Sequence, residues 1–358
     1  MTNEVLFQVE NGVGVITLNR PERLNALTYN MIKSISNHLI DWEKDNDIKS
    51  VIIEGAGEKA FCAGGDVVSL RNQVLLEGGP PTDLSRNFFY DEYLLNYKIN
   101  KYKKPFIALI DGVTMGGGVG VSMHGSHIVT TERTMFAMPE TSIGLFPDVG
   151  GGWLLANLSL GIGLWLALTG SRLRSYDLLK TGLANFYVNI ENINLLKEDI
   201  IKNSSENKNE ITKIINNYSS QPINDGIIEK NENLIKNIFE QENIEEIFTK
   251  LKTLINNGND FAATIEKELL VKSPTSLKIT MRQILEAKDM NLKDELIMEY
   301  RMVQKCQTSG DFYEGVRAML VDKDRKPQWQ PSLLSKVDDI WVNHFFESLN
   351  EKDLKITD

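Results

Sequence analysis

The sequence predicts an α/β protein with a core of repeated strand–strand–helix turns, closed by a helical C-terminal part. Three observations carry that reading. A hairpin signal opens the chain, short buried-strand runs then alternate with helical periodicity, and from about Trp153 onward the apolar pattern is helical.

The opening runs Val5–Glu10 and Val13–Leu18 are rich in β-formers and are joined by Asn11-Gly12, a strong short-range hairpin signal. Thr28 can cap a helix whose apolar positions Met31, Ile32, Ile35, Leu39 and Trp42 follow the helical period, and Ser50–Glu54 returns as a buried strand. Phe106–Asp111 is a continuous apolar run suited to a parallel strand, and Gly116-Gly117-Gly118 then opens a small-residue helix through Ser122. Ile128–Thr131 and Met135–Met138 read as further short strands. Trp153–Leu158, Gly163–Leu168 and Ser175–Lys180 carry helical apolar faces. Residues 190–260, rich in Asn, Lys and Glu, space apolar pairs such as Ile214-Ile215 and Ile227-Ile228 as amphipathic helices do. The expected division is a core over 1–190 that holds the functional site, and a helical part over 191–358.

Composition limits the function. The formal net charge of -10 disfavours a general nucleic-acid binder, which needs a basic surface to release counterions. The apolar stretch Trp153–Leu168 is too short and too interrupted to span a membrane. Cys62 and Cys306 stand far apart with no metal-ligand spacing, so neither a disulfide framework nor a metal site is expected. Met1–Arg20 has neither a signal-peptide core nor an Arg-rich transit pattern. The expected location is cytoplasmic, or the mitochondrial matrix if a presequence is removed.

Two glycine clusters and one acidic loop carry chemistry. Phe61-Cys62-Ala63-Gly64-Gly65-Asp66 follows a strand and is either a plain turn or a close backbone approach to a ligand. Met115-Gly116-Gly117-Gly118 stands at a helix entrance, where free amides and the helix dipole favour negative charge, though it too can serve close packing alone. Two such donors converging on a carbonyl under attack would stabilise its oxyanion by about 3 to 4 kcal/mol each. Pro139-Glu140-Thr141-Ser142-Ile143-Gly144-Leu145-Phe146-Pro147-Asp148 holds two carboxylates in a segment that Pro139, Gly144 and Pro147 keep from being one helix. Both carboxylates can therefore converge from a loop. His38, His124, His127 and His344 sit in no nucleophile–base pattern and there is no G-x-S-x-G elbow, so serine hydrolase chemistry is not indicated.

These residues resemble the crotonase (enoyl-CoA hydratase/isomerase) superfamily. The run from Tyr102 through Gly120, the PETSIGLFPDVGGG segment from Pro139 and FYEGVRAMLVDKD from Phe312 resemble its acyl-CoA hydrolase branch. The resemblance spans nearly the whole chain and is weakest over 190–260. It implies a crotonase-like spiral, an acyl-CoA substrate, no cofactor beyond the coenzyme A of that substrate, and a possible homo-oligomer. Residue by residue, it implies oxyanion-hole amides at Gly65 and Gly117, and a coenzyme A cradle at Leu24–Ala26 and Ala63, Gly64 and Asp66. It also implies an acid/base glutamate at Glu140, a second carboxylate at Asp148 and an acyl-pocket residue at Glu92. Hydratases of the superfamily carry a second glutamate where this chain has Gly120, which disfavours two-carboxylate hydration and leaves single-glutamate isomerisation open. The implied reaction is acyl-CoA thioester hydrolysis, a step in valine breakdown. The rivals are an isomerase or hydratase, and a non-catalytic acyl-CoA-binding protein. Lys59, Lys103, Lys104, Lys323, Arg325 and Lys326 could approach the coenzyme A phosphates, but each reads more readily as ordinary solvated charge.

Overall fold

The computed structural model describes residues 4–224 and 226–357. The chain divides into two compact units, each made of several chain segments: Met1–Asp66, Asp91–Ala137 and Arg172–Ile227 form one, and Val67–Tyr90, Met138–Ser171 and Ile228–Asp358 the other. The border is thus not a single cut at 190/191. Ile190–Lys202 and Lys208–Asn216 go with the sheet because their apolar faces pack on it, while Val67–Tyr90 and Met138–Ser171 go with the C-terminal helices.

The first unit contains the strands β1 Val5–Glu10, β2 Val13–Leu18, β3 Ser50–Gly55, β4 Ala60–Cys62, β5 Phe106–Ile110, β6 Val113–Met115, β7 His127–Thr130, β8 Met135–Ala137 and β9 Phe186–Tyr187. They form a six-stranded sheet in the order β1-β2-β3-β5-β7-β9 and a three-stranded sheet β4-β6-β8. The pairs β3/β4, β5/β6 and β7/β8 each send their first member to the large sheet and their second to the small one, which is the spiral of strand–strand–helix turns. Only β1 runs antiparallel, as a hairpin pairing Val5 with Leu18 and Glu10 with Val13. Asn11 and Gly12 both take positive φ, 45° and 79°, as a tight hairpin turn demands.

Period-two alternation sets the two faces of the large sheet. Val13, Val15, Ile52, Ile107, Leu109 and Val129 pack under Ile193, Leu196 and Ile200 of the helix Ile190–Lys202 and under Ile211 and Ile215 of Lys208–Asn216. Each such buried side chain contributes about 1.5–3 kcal/mol relative to exposure. On the opposite face Gly14 leaves room for Trp42, whose Cε3 would lie 2.5 Å from any Cβ there. Trp42 belongs to the helix Tyr29–Lys44, capped by Thr28 and burying the five positions the sequence pattern assigns to it.

The second unit is helical, with Gly151–Ala156, Leu160–Thr169, Ile244–Asn256, Asp260–Leu270, Pro274–Ala287, Leu292–Ser309 and Asp311–Val316 among its elements. Side chains of Asn243, Asn259, Ser273 and Asn291 accept from backbone amides at four helix starts. Among the described residues no helix is long and apolar enough to cross a membrane.

Candidate active site

The glycine cluster at Gly64–Gly65 is built by pairing with the loop after β2. Leu27 N donates to Gly64 O at 2.8 Å, Asp66 N to Leu27 O at 2.8 Å and Ala63 N to Leu24 O at 3.0 Å. Leu24 and Asn25 both sit in the left-handed region, with φ 51° and 56°. Asn25 tolerates this because its side chain serves as backbone: Nδ2 donates to Ala56 O and Ala60 O, both at 2.9 Å, and Oδ1 accepts from Arg20 N at 2.9 Å. The Arg20 guanidinium closes the structure by donating to Ala26 O at 2.6 Å and to the Asp66 carboxylate at 2.9 Å. Asp66 is therefore a brace for the loop. Sequence reasoning placed Asn25 within the Leu24–Ala26 stretch without seeing its bracing role, and it missed Arg20.

Gly117 starts the short helix Gly117–Gly120, so its N–H has no intrahelical partner. A Cβ on Gly117 would fall 3.2 Å from Gly65 N, 3.2 Å from Leu27 Cδ1 and 2.6 Å from Oε1 of Glu92. The two glycines and Glu92 thus meet at one point of the first unit, and Leu24, Ala26, Ala63, Gly64 and Asp66 lie along the paired loops that carry Gly65. Cys62 lies beside them, but burial, with the Glu92 charge adding, pushes its thiol up to about 12, so it is not a ready nucleophile.

The carboxylates lie in the second unit. Glu140 opens the 3-10 turn Glu140–Ile143 and is 5% exposed; Asp148 is equally buried. Burial first, and the Asp148 charge second, hold the Glu140 carboxyl well above the ordinary carboxylate range, with Lys272 opposing. Oε2 of Glu140 has no hydrogen-bond partner among the described residues. The turn itself is fixed from several sides: Thr141 Oγ1 donates to Leu168 O at 3.0 Å, Lys272 Nζ to Ser142 Oγ at 2.7 Å and Ser273 N to Thr141 O at 3.3 Å. Burial lowers the Lys272 ammonium to about 8, against the pull of Glu268 and Glu140. Lys272 is a further site residue that sequence reading missed, since nothing local marks a lysine that will be buried.

The FYEGV motif has a structural explanation. Gly144 has φ 71°, and a Cβ there would fall 2.7 Å from Phe312 N; a Cβ on Gly315 would fall 2.5 Å from Ile143 Cα. The two motifs interlock through their glycines.

Lys104, one of the basic candidates, has another duty. Lys104 Nζ donates to Trp42 O and Asp45 O, both at 2.6 Å, closing a helix end. Lys323, Arg325 and Lys326 are exposed on a segment that Arg317 ties down through Glu314, Asp322 and Asp324. Ser126 Oγ and His127 Nδ1 are 2.8 Å apart, but Ser126 also bonds both backbone groups of Phe106, and His127 Nε2 faces Lys208 O and Thr212. That pair clips β5 to β7 and has no carboxylate partner among these bonds. Gly120 is buried on the Gly117–Gly120 helix and brings no carboxyl there. Among the described residues no group of three or more His, Cys, Asp or Glu is disposed to hold a metal ion.

A family model described as enoyl-CoA hydratase/isomerase matches residues 13–346. The chain is 46% identical over 359 residues to a mitochondrial 3-hydroxyisobutyryl-CoA hydrolase of Danio rerio, covering 99% of this chain and 92% of that one. It is 44% identical over 357 residues to the mitochondrial 3-hydroxyisobutyryl-CoA hydrolase of Homo sapiens, covering 98% and 90%. Among solved structures, a carnitinyl-CoA dehydratase from Mycobacterium thermoresistibile superposes with TM-score 0.90 at 33% identity, covering 99% of both chains. An enoyl-CoA hydratase from Rhodobacter sphaeroides 2.4.1 does so with TM-score 0.90 at 31% identity, covering 99% of this chain and 100% of that one. With the family model matched over residues 13–346 and full-length relatives at 44–46% identity, the chain belongs to the enoyl-CoA hydratase/isomerase family.

Proposed function

We propose that this protein hydrolyses a short-chain acyl-CoA thioester, 3-hydroxyisobutyryl-CoA, to 3-hydroxyisobutyrate and free coenzyme A, a step of valine breakdown. The observation that carries the reading is the buried Glu140–Asp148 pair, in which Glu140 binds its proton far more tightly than an exposed carboxyl does. Full-length similarity to curated 3-hydroxyisobutyryl-CoA hydrolases supports the choice of substrate.

In this reading the N–H groups of Gly65 and Gly117 donate to the carbonyl oxygen as it becomes an oxyanion, each stabilising it by about 3 kcal/mol. Glu140 removes a proton from water, the water oxygen bonds to the carbonyl carbon, and the carbon–sulfur bond breaks as Glu140 returns the proton to the coenzyme A sulfur. Alternatively Glu140 itself attacks to form an anhydride that water then opens. Asp148 orients the substrate hydroxyl and keeps the Glu140 proton affinity high. Glu92 lines the acyl pocket, and the Leu24–Ala26 and Ala63–Asp66 pairing presents backbone to coenzyme A. The steps need only water, so no metal or redox group enters the scheme. The mitochondrial designation of the relatives favours the matrix over the cytoplasm, which organelle fractionation tests. Assembly into a homo-oligomer, as the superfamily resemblance implies, is tested by light scattering.

Thiol release from a panel of acyl-CoAs tests the reaction, with 3-hydroxyisobutyryl-CoA expected to release coenzyme A much faster than crotonyl-CoA is hydrated. Faster hydration of crotonyl-CoA would support the second reading, a hydratase, which the names of the two solved structures favour and Gly120 opposes. A single turnover in heavy-oxygen water separates the two roles of Glu140, because only the anhydride route can leave label in its carboxyl.

A further inference from the structure

The turn that carries Asp148 is strained and is gripped by buried side chains that the proposed reaction does not use. Val149 has φ 58° and Gly150 φ 76°. A β-branched residue in the left-handed region is an outlier that persists only where its surroundings over-determine it. Here they do. Gly150 N donates to Oε2 of Glu299 at 2.8 Å and Gly152 N to Oε1 of Glu299 at 3.3 Å. On the other side of Asp148, Pro147 O accepts from Gln283 Nε2 at 2.8 Å, and the same amide donates to Oε1 of Glu295 at 3.2 Å and of Glu299 at 3.3 Å. Gln283, Glu295 and Glu299 are all 0% exposed.

Glu295 and Glu299 stand one turn apart on the helix Leu292–Ser309, so both face the same loop. Two ionised carboxylates cannot share that buried space. Burial first raises both; the Glu295 charge and a hydrogen bond given to Glu295 raise Glu299 further, while that same bond lowers Glu295, so the shared proton rests on Glu299, whose oxygens still present lone pairs to the loop amides. Burying such a pair is costly, and an apolar pair would fill the space more cheaply. What an apolar pair cannot do is accept the amides of Gly150 and Gly152.

We propose that Glu299, aided by Gln283, is a positioning residue that holds the Val149–Gly150 turn in its strained form and so fixes the Asp148 carboxyl for the reaction. The inference rests on Asp148 taking part in the proposed hydrolysis. Full-length Glu299→Gln tests it, because one amide N–H then meets another N–H in place of a carboxyl oxygen. With 3-hydroxyisobutyryl-CoA as substrate, kcat should fall about 10- to 100-fold, while KM and the affinity for free coenzyme A stay within about two-fold. Adding Val149→Gly should restore kcat at least about five-fold, since glycine adopts the turn without strain. A folded Glu299→Gln protein with near-normal kcat overturns the proposal. So does a double variant that recovers melting temperature without recovering kcat, the signature of a merely structural role. If Glu299→Gln does not fold, Gln283→Leu should show the same kcat-specific loss, and an unchanged kcat there overturns the proposal equally. Asp148→Asn, measured alongside, separates the two claims. Normal turnover in that variant removes Asp148 from the reaction, whereas an inactive Asp148→Asn beside an active Glu299→Gln rejects only the positioning role.

Discussion

The Lys272 ammonium donates to Oγ of Ser142 at 2.7 Å, two residues beyond Glu140 on the same turn. Its charge lowers the proton affinity of Glu140, opposing the rise that burial and Asp148 impose. Removing the charge must therefore raise that affinity further. The acid limb of kcat/KM should already lie above the usual carboxylate range in the native enzyme, and in Lys272→Met it should move to still higher pH. A limb that stays in place, in a folded variant, would show that Lys272 only braces Ser142.

A side chain at Gly117 crowds the site. Its Cβ would fall 2.6 Å from Oε1 of Glu92, which must turn aside, and 3.2 Å from Gly65 N and Leu27 Cδ1, which must give by a few tenths of an ångström, and a branched side chain adds to that crowding. Gly117→Val should lower turnover by roughly two to three orders of magnitude, comparable to loss of one oxyanion donor, with the fold intact by circular dichroism. Near-normal turnover would remove Gly117 from the site.

Gly144 and Gly315 lock the Glu140 turn to the segment Asp311–Val316. Alanine at 144 meets both a positive φ and the Phe312 backbone, and alanine at 315 meets Ile143 Cα at 2.5 Å. Each should destabilise the protein by about 1–3 kcal/mol and depress kcat as Glu140 shifts, which thermal melts and steady-state kinetics on the two variants can read together.

Much of the fold is legible in the amino-acid sequence. Asn11-Gly12, the Met31-to-Trp42 periodicity and the apolar run at Phe106 each report local physics, and each element forms where its pattern lies. The short strands β4, β6 and β9 are not legible there, because two or three residues carry no periodicity. The helices Val67–Leu76 and Asp83–Asn100 lack a clear stripe to reveal them. The site residues come from motif resemblance, which names residues without showing what surrounds them. Lys272, Gln283, Glu295 and Glu299 escape sequence reading for one reason: their roles depend on burial among segments over a hundred residues away, and a polar or charged side chain reads as solvated until that burial is seen.

Glu295 also predicts a pH dependence of stability. Its folded-state carboxyl is raised, chiefly by burial, to about 7 from an ordinary 4.5, so between those values the folded chain binds more protons than the unfolded one. Stability should therefore fall as pH rises through that window, by at most about 1.4 kcal/mol per pH unit from this group. Glu295→Gln should flatten the slope in urea titrations run across the window; an unchanged slope would assign it to other groups.

Glu140 and Asp148 acting as one proton-handling unit is the claim on which the function depends. The direct measurement is a double-mutant cycle on coenzyme A release from 3-hydroxyisobutyryl-CoA, using Glu140→Gln, Asp148→Asn and the pair. Each single variant should lose most turnover while retaining affinity for free coenzyme A, and the double variant should lose far less than the sum of the two in free energy. Full additivity, or a healthy rate in either single variant, would contradict the account.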